Sequence, residues 1–228
     1  RTGRVTPIMP ALLSPQAPPS TLDLSDGGFE LFQKLIHDCA GIWMSSAKKA
    51  LVTGRLMRRL HQHGLSSYKD YHGLLLRDAQ ERQRAVDLLT TNETHFFREP
   101  RHFDLLRDAL LPQHPAGTPF RVWSAAASTG QEPYTLAMVL QQCLGDAPWD
   151  VLGTDISTRV LDRARAAQYD LALAREIPAP YLQACCLKGI GAQTGSFIIA
   201  PELARKVRFS QVNLIEPLPD VGTFDAIF

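Results

Sequence analysis

Between residues 91 and 99 the chain reads Thr-Asn-Glu-Thr-His-Phe-Phe-Arg-Glu. An amide, hydroxyls and a guanidinium crowd against two adjacent aromatic rings, with no glycine or proline among them. Such a set either opens a helix that joins two domains or holds a polar ligand against a dry wall. Two acids further on carry a second signal. Glu132 follows a loop of small residues, Ser-Ala-Ala-Ala-Ser-Thr-Gly-Gln-Glu-Pro, and Asp155 closes Gly153-Thr154-Asp155, 25 positions after Gly130.

The small loop is not the GxGxxG that brings a backbone against a pyrophosphate. Gly130 alone still lets a ligand approach the backbone closely, and a helix starting near Glu132 has free N–H groups there. An acid at that point argues against phosphate and for a ligand carrying an ammonium or a hydroxyl. A carboxylate at the end of a second strand can accept from both hydroxyls of a ribose. The alternative for Asp155 is the N-cap of the next helix, a role for which Ser157 competes. Taken together, the spacing suits an S-adenosylmethionine site better than an NAD site.

A third cluster is basic: Lys48, Lys49, Arg55, Arg58 and Arg59, with His61 beyond. On a helix Arg55 and Arg58 or Arg59 lie one turn apart, away from Val52 and Leu56. The run is either a solvated face or a surface for an acidic partner. Net charge over 228 residues is +1, and no aromatics interleave with the basic residues, which argues against nucleic acid. Cys39, Cys143, Cys185 and Cys186 form no CxxC pair and no HExxH is present. They read as small apolar fillers in a reducing compartment, and no metal is expected.

The elements that must position these residues fall into blocks. Residues 1–22 contain five prolines among small residues and read as a flexible tail. Residues 23–90 carry helical apolar spacing throughout: Phe29, Phe32, Leu35, Ile36 and Cys39 up to a stop at Gly41, then Val52, Leu56 and Leu60 up to Gly64, then two shorter helices. Residues 91–112 read as a linker helix carrying the polar-aromatic motif.

From 113 to 228 short apolar strands alternate with helices. The strands are 121–126, 150–155, 207–213 and 224–228, and the helices 132–144 and 157–169, the second capped by Ser157. This rhythm argues a parallel sheet with covering helices, and glycines at 189, 191 and 195 mark a hairpin-like insertion at about 185–206. No apolar run approaches the ~18 residues of a membrane span, and no signal segment leads the chain. A start at Arg1 without methionine suggests a processed or trimmed end. A parallel strand ending at Phe228 wants a further neighbour and cover, so the protein is expected to continue.

"NETHFFRE", "RVWSAAASTGQEPYTLA", "GTDIS", "VRFSQVNL" and "FDAIF" together resemble the chemotaxis-receptor protein-glutamate methyltransferases, the CheR family, from about residue 25 to the last residue. The resemblance implies an α/β fold: an S-adenosylmethionine-dependent, Rossmann-like methyltransferase domain with a small inserted β-subdomain, preceded by an all-α substrate-recognition domain. It implies methyl transfer from S-adenosylmethionine, leaving S-adenosylhomocysteine, to glutamates on the cytoplasmic helical region of chemoreceptors, by a cytoplasmic monomer that does not insert into the membrane. It places cofactor contacts on Asn92, Thr94, Arg98, Glu132, Asp155, Asn213 and Leu214, with Arg98 beside the methyl group as the catalytic residue. It gives receptor binding to Arg55, Arg58 and Arg59, and a receptor C-terminal peptide to the β-subdomain.

Gln131 stands where the family commonly has an acid before the residue matching Glu132, and His61 where some relatives have a third arginine. The family continues after "FDAIF" with a Cys-Arg-Asn-like segment and a tyrosine that close the pocket.

A glutamate with a pKa of ~4.3 is already ionised at neutral pH, so methyl transfer to it needs no general base. The enzyme has to align oxygen, methyl and sulfur and exclude water, which accounts for the lack of any Ser/His/Asp or Cys/His device. The alternatives are a non-catalytic family member that binds cofactor or receptor, or a methyltransferase with another substrate.

Overall fold

The computed structural model describes residues 23–228; the proline-rich segment 1–22 lies outside the described residues. The first block folds as four helices, α1 (Asp26–Ala40), α2 (Lys49–Gln62), α3 (Tyr68–Arg77) and α4 (Ala79–Leu89). Their starts and stops have local causes. Ser25 accepts from the Gly28 N–H at the head of α1, and Gly41 closes that helix at φ 66°. Ser67 and Asp78 cap α3 and α4 in the same way. The apolar faces meet in one core around Phe32, Ile36, Val52, Leu56, Tyr71 and Leu75.

Glu81 is the polar exception, only 1% exposed inside that helical unit. Its carboxylate accepts from Arg59 and from the Tyr71 hydroxyl at 2.7 Å, and stands 3.2 Å from His63 Nε2 and 3.3 Å from Arg84. Burial alone would raise this carboxyl, but the hydrogen bonds from Arg59, Tyr71 and His63 outweigh it and hold it down at about 2.

Residues 91–99 do not open a helix. The segment is irregular, and α5 begins only at Pro100 (Pro100–Leu105), running on as a π turn over Leu106–Leu110 and a 3₁₀ turn over Leu111–Gln113. Pro100 starts a helix well, since its missing N–H is one no helix start pairs. It also disfavours the right-handed helical region for the residue before it. Glu99 sits at φ 55° and Phe97 at φ 54°, so the backbone leaves helical space twice in three residues. The linker is a strained loop followed by a helix.

The second block is a parallel sheet ordered β6-β2-β1-β7: β1 (Phe120–Ser124), β2 (Trp149–Asp155), β6 (Val207–Gln211) and β7 (Ala226–Ile227). Helices α6 (Gln131–Leu144) and α7 (Thr158–Ala166) cover it. Apolar residues of β1, β2 and α6, among them Val122, Val151, Leu136 and Leu140, are completely buried, as strands covered on both faces require. α7 ends three residues earlier than its apolar pattern suggests, because Ala167 turns left-handed at φ 50°.

That turn releases β3 (Gln168–Asp170), which pairs antiparallel with β5 (Ser196–Ile199), itself paired with β4 (Cys186–Lys188). The inserted unit is therefore a three-stranded sheet opening at Gln168, with α8 (Ala179–Cys185) inside it. A hairpin at 185–206 is too small a description, since Gln168–Asp170 is too short and too mixed to be recognised as a strand by pattern. A one-turn helix, α9 (Pro201–Ala204), returns the chain to β6.

Candidate active site

The site is built at the carboxyl ends of β1, β2 and β6, where ligands of doubly wound sheets bind. The small-residue loop after β1 folds over the end of β2. The Ala127 N–H donates to Thr154 O at 2.7 Å and the Ser128 N–H to Asp155 Oδ2 at 2.9 Å. The Ser157 N–H donates to Asp155 Oδ1, also at 2.9 Å. Asp155 is 9% exposed, and each of its oxygens is fixed by one backbone amide. A carboxylate offers about four acceptor positions, so each oxygen retains one for a ligand.

Gly130 serves a different purpose from ligand approach. It turns the chain at φ 95° into α6, and a Cβ there would meet the Tyr169 hydroxyl at 2.8 Å and Ala164 Cβ at 3.0 Å. The close approach is between this loop, α7 and the inserted sheet. Ser157 is N-terminal to α7, as its type suggests, but its hydroxyl makes no capping bond and is buried without a partner. The first free amide of α7, that of Thr158, is taken by Asp87 of α4 at 3.1 Å.

One cleft gathers residues from both blocks. Its walls include Ala40 and Ile42 at the end of α1, Thr90, Thr91 and Asn92 after α4, Ala125 and Ala126 after β1, Asp155 and Ile156 at the end of β2, and Val212, Asn213 and Leu214 after β6. Asn92, Asp155, Asn213 and Leu214 are thus brought together. The Asn213 amide is also a tie across the domains, donating to Cys39 O at 2.8 Å and to Glu216 at 3.0 Å.

Glu132 lies at the neighbouring end of β1, where the Ser124 hydroxyl donates to it at 2.7 Å. It faces a second cavity shared with His102, Leu105 and Phe228. Arg98 is exposed and donates to Glu93 O at 3.0 Å within its own loop. Neither Arg98 nor Thr94 lines the cleft that holds Asp155. Phe96, by contrast, is buried in the second core, 5.0 Å from the Tyr169 ring and 6.0 Å from that of Phe197. The loop is pinned to the α/β domain by the Phe96 N–H to Glu176 at 3.0 Å and the Phe97 N–H to Thr135 at 3.2 Å.

The basic helix resolves into three different arginines. Arg59 is clamped to Glu81, and Arg55 donates to Leu88 O and Thr90 O at 2.8 and 3.2 Å. Both are half-buried and hold α2 on α4. Arg58 is exposed and makes no hydrogen bond or ion pair among the described residues. This division is not legible in the sequence, because the partners in α4 and just beyond it lie at least 22 positions away.

All four thiols are free and raised by burial, that of Cys186 to about 12 with Cys185 adding to the effect, so none is a poised nucleophile. No cluster of metal-binding side chains occurs among the described residues. Missed from the sequence as walls were Ile156 and Val212, although they adjoin Asp155 and Asn213.

The donor set can be tested against a ligand. The cleft offers a fixed carboxylate acceptor, alanines where a ligand meets backbone, apolar side chains at Ile42, Ile156 and Val212, and no lysine or arginine. That set fits a nucleoside with free ribose hydroxyls and does not fit a pyrophosphate. Fold and cleft together are those of an S-adenosylmethionine-dependent methyltransferase.

Comparison with known proteins agrees. Residues 92–228 match the family model described as the CheR methyltransferase, SAM binding domain, and residues 27–90 that of the CheR methyltransferase, all-alpha domain. The chain belongs to the CheR methyltransferase family. It is 42% identical over 212 residues to the chemotaxis protein methyltransferase of Salmonella typhimurium, covering 91% of this chain and 73% of that protein. The Escherichia coli (strain K12) chemotaxis protein methyltransferase gives the same figures. Chemotaxis protein methyltransferase 2 of Pseudomonas aeruginosa is 41% identical over 203 residues, or 88% of this chain and 72% of that protein. The cofactor is S-adenosylmethionine. No described helix is long and apolar enough to cross a membrane.

Proposed function

We propose that the protein esterifies glutamate side chains of chemoreceptors, acting in the cytoplasm as a monomer. The observation that carries this reading is a pair of carboxylate acceptors, Asp155 and Glu132, at the carboxyl ends of the sheet, with no lysine, arginine or nucleophile–base pair among the cleft residues. When bound, S-adenosylmethionine supplies an electrophilic methyl group on a sulfonium.

The chain's own residues bind and orient. Asp155 accepts from the ribose hydroxyls, while Asn92, Asn213 and Leu214 bound the nucleoside. Glu132 accepts from the amino-acid end, and Thr94 and Arg98 complete that side. Arg98, on a loop fixed immediately before it by Phe96 and Phe97, positions a carboxylate without abstracting a proton. A tight ion pair to the attacking oxygen would blunt its nucleophilicity, so positioning is the role consistent with the chemistry. On the substrate side Arg58 of α2 meets acidic residues of the receptor helix, with Arg55 and Arg59 holding α2 in place. The edge of the inserted sheet, with Leu187 and Ile190 exposed, is suited to receive a receptor C-terminal peptide by strand addition.

The test is incubation with methyl-labelled S-adenosylmethionine and chemoreceptor-containing membranes. Label recovered as base-labile methyl ester on receptor glutamates is expected. Binding of S-adenosylhomocysteine without any ester would overturn the reading in favour of a non-catalytic binder, and label in another product would show a different substrate.

A further inference from the structure

The end of β2 is fastened from outside its own domain. Asp87, on α4 of the helical block and 6% exposed, accepts from the Thr158 N–H at 3.1 Å through Oδ1 and from the Thr158 hydroxyl at 2.9 Å through Oδ2. Gln83, one turn earlier on the same helix, donates to Asp87 Oδ1 and to Ile156 O, both at 3.0 Å. Arg159 donates to the Asp87 main-chain carbonyl at 3.0 Å, and Gln211 of β6 donates to Ile156 O at 3.0 Å. Ile156, Thr158 and Arg159 are thereby tied to α4, on either side of Ser157 and immediately after Asp155.

We infer that Asp87 is a positioning residue for the cofactor site, capping α7 from the neighbouring domain and so holding Asp155 in its ligand-ready orientation. The cap that Ser157 would ordinarily supply is missing, since its hydroxyl is unpartnered. An N-terminus without a cap frays, and the first residue freed would be Ser157, whose N–H fixes Asp155 Oδ1. A site populated in its competent form for only a fraction of the time binds more weakly by that fraction. Linkage then runs in both directions: cofactor binding tightens the helical block through Asp87, and loosening the helical block weakens the cofactor. The substrate-facing domain and the cofactor are thereby coupled through this carboxylate.

The inference rests on Asp155 being the ribose acceptor, and the experiment separates the two. S-adenosylhomocysteine binding is measured by calorimetry on the full chain, at a temperature where circular dichroism shows each variant folded. Asp87→Ala is expected to raise Kd about fivefold to tenfold, the scale of a lost cap, and to shrink the ligand-induced rise in Tm. Asp87→Asn, which keeps an acceptor for the Thr158 N–H, is expected to restore most of the affinity. Ser67→Ala removes a cap of the same kind from α3, which packs on α1 and α4, and is expected to lower Tm with Kd unchanged.

Should Asp87→Ala not fold, Thr158→Val tests the Oδ2 bond alone, with an expected twofold to threefold rise in Kd (about half the cap). Asp87→Ala, or Thr158→Val in its place, that is folded and binds like the parent overturns the inference, as does an equal loss of affinity in Ser67→Ala. If Asp155→Ala itself binds normally, the ribose assignment fails first. If Asp155→Ala loses binding while Asp87→Ala does not, only the positioning role falls.

Discussion

Replacing Glu81 by glutamine should erase a specific segment of the acid stability profile of the helical domain. In the fold the Glu81 carboxyl is held at about 2, against ~4.3 in an unfolded chain, which corresponds to roughly 3 kcal/mol of stability at neutral pH. Because the folded value is the lower one, that contribution is complete above ~4.3 and is lost as pH falls toward about 2, with about half gone by pH 3. Native-state hydrogen exchange at α2 and α4 amides reads it directly, since local opening of the helical block exposes them. The parent should lose protection between pH 4.5 and pH 3, and Glu81→Gln should lose markedly less over the same interval.

Arg59→Ala should be the more damaging change at pH 7, by about 3–5 kcal/mol, because it leaves a buried carboxylate short of its main partner. Parallel acid profiles for parent and Glu81→Gln, or an Arg59→Ala variant as stable as the parent, would refute the reasoning and return Arg59 to the receptor-binding face.

Three further outcomes are expected. Arg58→Glu should raise the KM for receptor about tenfold with the Kd for S-adenosylhomocysteine unchanged, measured by methyl transfer and calorimetry; an unchanged KM would remove α2 from the recognition surface. Phe96→Ala should cost about 3–5 kcal/mol by emptying a buried ring site, which a thermal melt reads as a drop of roughly 6–20 °C, and a smaller drop would mean that the loop is not held by this ring. Cys186→Ala should keep full methyl transfer, and alkylation of Cys186 at pH 8 should be slow because a thiol at about 12 is thiolate only about once in ten thousand molecules.

The alternation of apolar runs and helices, the acids at 132 and 155 and the string of motifs around them were legible in the sequence, and they led to the fold class and the cofactor. They are legible because each depends on neighbours close in the chain: strand and helix periods, a turn before a helix, an acid at a strand end. What failed to read out was set by groups distant in sequence. The motif at 91–99 reads as a helix start, yet Phe96 finds its place against Tyr169 and Phe197, and the backbone adopts left-handed values at Phe97 and Glu99. Gln168–Asp170 is a strand because Ser196–Ile199 lies beside it.

The three arginines of α2 are alike in the sequence and differ only by where Glu81, Leu88 and Thr90 happen to lie. Ser157 has the residue type of a cap, while Asp87, 71 positions before Thr158, does the capping. The sequence by itself determined which elements form and which chemistry they can carry, since propensity and spacing act locally. Only the tertiary structure decided which polar groups are spent on holding the two domains together and which are left for ligands, because a carboxylate or a guanidinium takes its role from the partner that folding brings to it.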